Sequence, residues 1–505
     1  MKLRIVLFLC IYNIISSCSR SSDKVISTID LGDSKVVLTQ EADSLNVPWD
    51  LQYDRTNKCI IFSEISGNIK KLDLESKEVI LLKKIPNVFQ QRTTGLLGMA
   101  LYQPVVGTHY LFLSYTTKQN EKVYSNLYRY IYTDNSELKN PKLLLRIPGN
   151  TGHNGSRIII GHDQKLYWAT GDAASDHYAQ DSTSLNGKLL RINIDGSIPA
   201  DNPIKNSYVY AWGFRNIQGL TQGWSDMIYT SEHGDAIEDE VNLIRPLRNY
   251  GWPLIEGMYP PKNNTDSMSK TTFTAPIRSW TPVIAPSGMA YYGGNRIPKW
   301  RNSLILTTLK SQSLRILKLS EDGRKITDEY ILFKDQLGRL RSVITAPNGD
   351  IYFCSSNRDW NPQKGFPQPD DDRIYKLSIT GKTAGNVVRP VKAGAASGNQ
   401  LVSGKILYES YCSSCHKPDG KGIPNTFPSL ENSKTVKGEN RALAEIILNG
   451  LQNKTIEGVK YDGSMPSFEF LKDEELTAIL NYIRTSFNNQ GSTITVDELK
   501  QYRKN

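Results

Sequence analysis

The chain has 505 residues, 39% of them hydrophobic, which is enough to bury a large core and is longer than one domain usually runs. Its formal charge of +10 would suit a polyanionic partner, but the lysines and arginines are scattered and form no long run, which argues against nucleic-acid binding. A solvated basic surface remains, on which an acidic electron acceptor could dock.

In chain order, Met1-Lys2-Leu3-Arg4 and the apolar run Ile5 to Ile15 read as a charged leader and a hydrophobic core. That core is too short for a permanent span, which takes about 20 apolar residues. Ile15-Ser16-Ser17-Cys18 fits a bacterial lipobox, in which Cys18 is lipidated and becomes the mature N-terminus; an ordinary cleaved signal is the alternative. Residues 1–18 are therefore expected to be a signal peptide. The mature chain is expected to be exported, as a periplasm-facing lipid-anchored membrane protein or in the outer membrane of a Gram-negative bacterium, with the lipid as its only membrane contact.

From residue 19 to 380 the chain repeats a strand, turn, strand pattern. Units begin near Pro48, Leu96, Ser156, Gln218, Ser287 and Arg341, spaced by about 50 residues as in propeller blades of four strands. Asp195-Gly196, Asp322-Gly323 and Asn348-Gly349 are hairpin turns. The expected fold is an all-β six-bladed β-propeller followed by a small all-α domain. Cys59 and Cys354 lie in separate strands, either as a disulfide or as two buried thiols.

Three polar clusters interrupt the strands: Thr151-Gly-His153-Asn154, Arg215-Asn216-Ile-Gln218-Gly219, and Ser231-Glu-His233-Gly234-Asp235 running on to Asp239-Glu240-Val-Asn242. Each sits beside an apolar run and so on a loop at a strand end, where binding and catalysis concentrate.

Residues 381–400 are rich in small residues and read as a linker, with a helical domain over 401–490 and a polar, frayed tail over 491–505. Cys412-Ser-Ser-Cys415-His416 is a c-type haem attachment pattern, with two thiols for the porphyrin vinyls and His416 for the iron. A thioredoxin-like pair would want a βαβ unit, and a zinc site further Cys or His, none of which follow His416. Met465 is the only methionine after this motif, in the Pro/Gly loop where class I cytochromes c, which this domain resembles, carry the second iron ligand.

Together the loop motifs resemble the soluble pyrroloquinoline quinone (PQQ)-dependent glucose and aldose sugar dehydrogenases over roughly residues 45 to 377. The resemblance carries His153 before Gly171-Asp172, the Arg215 to Gly219 loop, Ser231 to Gly234, and Asn249-Tyr-Gly-Trp-Pro253. It implies that His153 takes the proton of the sugar C1 hydroxyl, that Asp172 orients it, and that Arg215 donates to the quinone oxygen. Asn216, Lys310, Arg339 and Arg341 would hold PQQ, whose three carboxylates call for several cations. The cofactor calcium maps to backbone oxygens of Gly234 and Asp235, and a second calcium to Glu240 and the Tyr250 carbonyl.

The chain departs from the family at Thr93, where a cofactor-contacting Gln is usual, at Phe214, often a His, and at Asp235, often a Pro. Trp280 stands as candidate for the stacking aromatic. The implied function is oxidation at C1 of an aldose, or of an aldehyde such as sorbosone, with PQQ, calcium and haem c, and a further cytochrome or terminal oxidase as acceptor. The contrasting expectation is a propeller that only binds a carbohydrate or partner and carries an electron-transfer cytochrome.

Overall fold

A computed structural model describes residues 24–258, 273–393, 403–451, 455–461 and 463–504. The signal, Cys18 and most of the 260–274 loop lie outside the described residues.

Six antiparallel sheets radiate from a central axis, and their innermost strands are Pro48–Asp54, Leu96–Tyr102, Gly155–Ile160, Ile217–Gln222, Pro286–Tyr292 and Leu340–Thr345. These are the six units of the sequence repeat. Each inner strand packs on the next, and Leu340–Thr345 returns to Pro48–Asp54, so the ring closes. The last blade takes its outer strands, Lys35–Ala42 and Lys24–Asp30, from the N-terminus, so both ends of the propeller are stitched into one sheet. Apolar residues fill the space between neighbouring blades: Leu51, Ile60 and Phe62 of the first meet Met99, Leu111 and Leu113 of the second. This burial between sheets, rather than within any one of them, is what the conformational entropy of folding is set against.

Two boundaries differ from expectation. Asn386–Val388 runs parallel to Lys24–Asp30, and Val391–Lys392 pairs with Ile326–Leu332, so the first half of the expected linker is woven into two blade edges. Edge strands present unpaired N–H and C=O groups, and Val387, Val388 and Val391 are β-branched residues suited to meet them. The expected frayed tail is the helix Val496–Lys504, which buries Leu499 completely and ties Arg503 to Asp473 at 2.8 Å. Cys59 and Cys354 are both buried and free, their thiols pushed up to about 12 by burial.

In the C-terminal domain Gly404–Tyr411 crosses Asp473–Thr485 so closely that a Cβ on Gly404 would lie 2.0 Å from the Ala478 carbonyl oxygen. Leu407, Leu443, Ile447, Leu476, Ile479 and Leu480 form its core. Among the described residues no helix is long and apolar enough to cross a membrane.

Candidate active site

One cavity of about 840 Å³ opens where the helical domain sits over one end of the propeller axis. From the propeller it is lined by His153, Arg215, Asn216, Lys310, Arg339 and Arg341, and from the helical domain by Cys412, Cys415, His416 and Met465. The fold thus brings residues more than 300 positions apart in the chain into one space.

His153 stands in a left-handed backbone conformation (φ 53°), a strained geometry that concentrates at functional sites. Its loop lies against the strand end at Gly171, where a Cβ would come within 2.0 Å of the His153 carbonyl oxygen. Only glycine permits that approach, and it sets Asp172 Oδ1 2.9 Å from His153 Nδ1. Asp172 Oδ1 also accepts from the Ala174 amide and Oδ2 from Trp252 Nε1, each at 2.8 Å. Burial alone would raise the Asp172 carboxyl, but His153, Arg215 and the indole hydrogen bond outweigh it and hold the group below the ordinary carboxylate range. Asp172 is therefore a fixed anion behind an imidazole whose Nε2 is left for a ligand.

Arg215 packs its guanidinium 5.2 Å from the Trp252 ring centroid and donates to Asp235 at 2.7 Å. Burial opposes its charge, but Asp235, Asp172 and Glu256 hold the charge in place and raise its pKa. Its Nε is buried without a hydrogen-bond partner, and Arg339 Nε is in the same state. Unpaired buried guanidinium donors are costly, and an anionic ligand in the cavity would satisfy them.

Arg339 and Arg341 both reach Asp359, Arg339 at 3.2 Å, as their two-residue spacing on extended chain predicts. Arg341 also donates to Ser356 at 2.9 Å and lies over Trp49. Lys310 is pushed below the usual lysine range by burial, against the attraction of Asp239. The Asn216 side-chain oxygen accepts from the Gly155 amide at 3.1 Å, fixing it beside the histidine loop. These donors fit an anion with several carboxylates.

His233, also on the wall, is pushed down to about 3 by burial and by Arg215, so it stays neutral, with Nε2 2.9 Å from the Pro286 carbonyl oxygen. Thr93, where the family pattern has Gln, donates to the Thr151 carbonyl at 2.9 Å and tethers the histidine loop instead of presenting an amide.

On the helical side, His416 Nδ1 lies 2.9 Å from the Pro428 carbonyl oxygen, which fixes the tautomer and leaves Nε2 for a metal. Burial lowers the His416 pKa and so favours the neutral, ligating form. The Cys412 and Cys415 thiols are raised to about 12 and about 11, chiefly by burial, and they line the cavity with Met465, whose amide and carbonyl both pair with Leu451 at 2.8 Å. This donor set fits haem c.

Among the described residues no group of three or more His, Cys, Asp or Glu side chains is arranged to hold a metal ion. Glu240 lies with its oxygens on the Gly257 amide at 2.7 Å and on Asn242 at 2.9 Å, and burial, with the charge of Glu238, raises its carboxyl against those hydrogen bonds and one with Glu232. Tyr250 stacks on Phe214 at 4.7 Å.

Trp280 does not line the cavity. It lies on an outer strand with its indole nitrogen 3.2 Å from Glu329, so the expectation of a stacking aromatic there is wrong. Sequence reasoning assigned no role to Trp252 or Asp359. Trp252 lies in the Asn249 to Pro253 motif and could have been singled out, whereas Asp359 carries no local signal.

Residues 45–361 match the glucose/sorbosone dehydrogenase family and residues 401–487 the cytochrome c family. Aldose sugar dehydrogenase YliI of Escherichia coli (strain K12) is 29% identical over 343 residues, 65% of this chain and 91% of its own length. Quinoprotein glucose dehydrogenase B of Acinetobacter calcoaceticus is 27% identical over 418 residues, 66% of this chain and 87% of its own length. The solved PQQ-bound form of an aldose sugar dehydrogenase from Streptomyces coelicolor superposes with a TM-score of 0.60 at 29% identity, covering 69% of this chain and 99% of the other.

Proposed function

Because the chain belongs to the glucose/sorbosone dehydrogenase family and ends in a cytochrome c domain, we propose that it is a quinoprotein that oxidises an aldose at C1 and passes the electrons to haem c on the same chain. The observation that carries this reading is the single cavity shared by His153, the four cations and the Cys412 to His416 motif. Bound there, PQQ supplies a hydride acceptor and haem c a one-electron outlet.

The chain's own residues do the rest. His153 Nε2 removes the proton of the substrate hydroxyl while the C–H electron pair leaves as hydride, and Asp172 holds Nδ1 so that the imidazole accepts at the correct nitrogen. Arg215 supplies a buried donor where negative charge develops. Asn216, Lys310, Arg339 and Arg341 orient the tricarboxylate cofactor. Cys412 and Cys415 anchor the porphyrin, with His416 and Met465 as the iron ligands.

Calcium at the Gly234 and Asp235 carbonyls belongs to the same proposal, as does a second cation at Glu240 and the Tyr250 carbonyl. So do export, lipidation at Cys18 and a downstream cytochrome or oxidase as acceptor.

The test is haem reduction in the purified chain, given PQQ and calcium and then a panel of aldoses and aldehydes, with His153→Ala alongside. Sugar-dependent ferrous bands that vanish in the variant support the reading. No reduction by any sugar, with no PQQ bound, would leave a binding propeller that carries a cytochrome.

A further inference from the structure

The two domains are held together at a small set of side chains. Asn361 Nδ2 donates to the Ser414 carbonyl at 2.9 Å, and Asn361 Oδ1 accepts from Lys417 Nζ. Next to it, the Trp360 ring lies 6.4 Å from Phe427, and the Arg92 guanidinium covers both rings at 5.2 and 5.9 Å. Lys310 Nζ donates to the Ser410 carbonyl at 2.5 Å, at the end of the helix that leads into Cys412.

The places where these contacts land give them meaning. Ser410, Ser414 and Lys417 are within and around the haem motif, and Phe427 precedes Pro428, whose carbonyl orients His416. On the other side, Trp360 and Asn361 follow Asp359, the carboxylate shared by Arg339 and Arg341. Asn361 is only 8% exposed, so its amide is committed to this contact. A surface amide with no task would be solvated; this one spends both its donor and its acceptor on the other domain.

We propose that Trp360 and Asn361 are positioning residues that seat the haem motif over the propeller cavity, so that electrons cross within one chain instead of between chains. The redox part of this proposal rests on the dehydrogenase reading. The substrate's two electrons reach a one-electron haem in two transfers, each ferric-to-ferrous reduction being reversed by an external one-electron acceptor protein before the next. Seating matters because a tethered and docked partner acts at an effective concentration that no free partner matches.

The test uses the full haem-bearing chain and the variants Asn361→Ala, Trp360→Ala and Trp360→Phe. Without PQQ, amide exchange at 412–416 is expected to quicken about tenfold in the two alanine variants and to stay near wild type in Trp360→Phe, which keeps a ring against Phe427. With PQQ and sugar, reduction of a small dye is expected to be unchanged. Haem reduction is expected to be first order and independent of protein concentration in wild type, and to slow about tenfold in the alanine variants, whose haem domain stays tethered but is no longer seated. Unchanged exchange together with unchanged haem reduction in both alanine variants would overturn the proposal. If the wild type does not reduce the dye, the dehydrogenase reading has failed, and the exchange measurement still decides the seating.

Discussion

Asp172→Asn tests the chemistry of the site with almost no change of shape. The carboxylate accepts from His153 and Ala174 at Oδ1 and from Trp252 at Oδ2, so every group around it is a donor. An amide has one oxygen and one NH2, and an indole N–H and a backbone N–H can only donate. If the NH2 takes the Oδ1 position, it confronts the Ala174 amide and forces the histidine proton onto Nε2, which removes the base. If it takes the Oδ2 position, it confronts Trp252 Nε1, and the histidine keeps its tautomer but loses the anion that stabilises its cation. A unit charge about 4 Å away at an effective dielectric of about 20 is worth ~4 kcal/mol. At 1.36 kcal/mol per tenfold, sugar oxidation should fall about 10³-fold. The assay is dye-linked sugar oxidation at saturating PQQ, with PQQ affinity and circular dichroism as controls for folding. A rate within about threefold of wild type, with PQQ bound, would refute the role of Asp172. The same anion has a stability signature. Its carboxyl is held low in the folded state, so its contribution is present above the ordinary carboxylate range and is lost as the pH falls through the lowered value. Asp172→Asn should therefore weaken the acid dependence of unfolding.

Arg339→Ala removes a guanidinium with an unpaired buried Nε. A charge-assisted hydrogen bond of ~1.5–3 kcal/mol makes PQQ binding about 10- to 150-fold weaker, measured by titrating the cofactor-free chain, and an unchanged affinity would remove Arg339 from the cofactor set. Lys188 donates to the Tyr178, Ala179 and Asn186 carbonyls and is pushed down to about 8 by burial. Between that value and its ordinary ~10.4 the unfolded chain binds more protons, so this lysine makes stability rise with pH across that window. Lys188→Met should abolish that rise in denaturant unfolding followed from pH 8 to 10, and an identical slope in the variant would contradict the burial argument. Met465→Ala removes the thioether from the haem pocket. The reduction potential should fall by on the order of 0.1 V in a redox titration, within the ~0.8 V that axial ligation spans, and an unchanged potential would exclude Met465 as a ligand.

Sequence alone determined the features whose signal is local. Six inner strands begin where the repeat places them, because alternation and hairpin turns are written within a few residues of each other. His153, Asp172, Arg215 and the arginine pair were legible because each lies in a short motif at a strand end, and the haem motif because its chemistry needs two thiols and an imidazole at fixed spacing.

Tertiary structure decided what depends on closure of the ring and on the seat of the second domain. Asp359 neutralises two arginines only once the last blade has turned its loop back over them, and Trp252 meets Asp172 across 80 residues. Residues 386–392 look like linker because Gly, Lys and Arg surround them, yet exposed blade edges recruit their valines. The C-terminal helix is polar in composition, yet one buried leucine and one salt bridge dock it. Cys59 and Cys354 stay unpaired although they share one apolar cluster, the first thiol meeting the Asp54 carboxylate and the second the Pro48 carbonyl, which composition does not carry. The cavity itself, with propeller residues on one wall and the haem motif on the other, exists only in three dimensions, because the groups that share it are far apart in sequence and meet only through tertiary packing and hydrogen bonds between the domains.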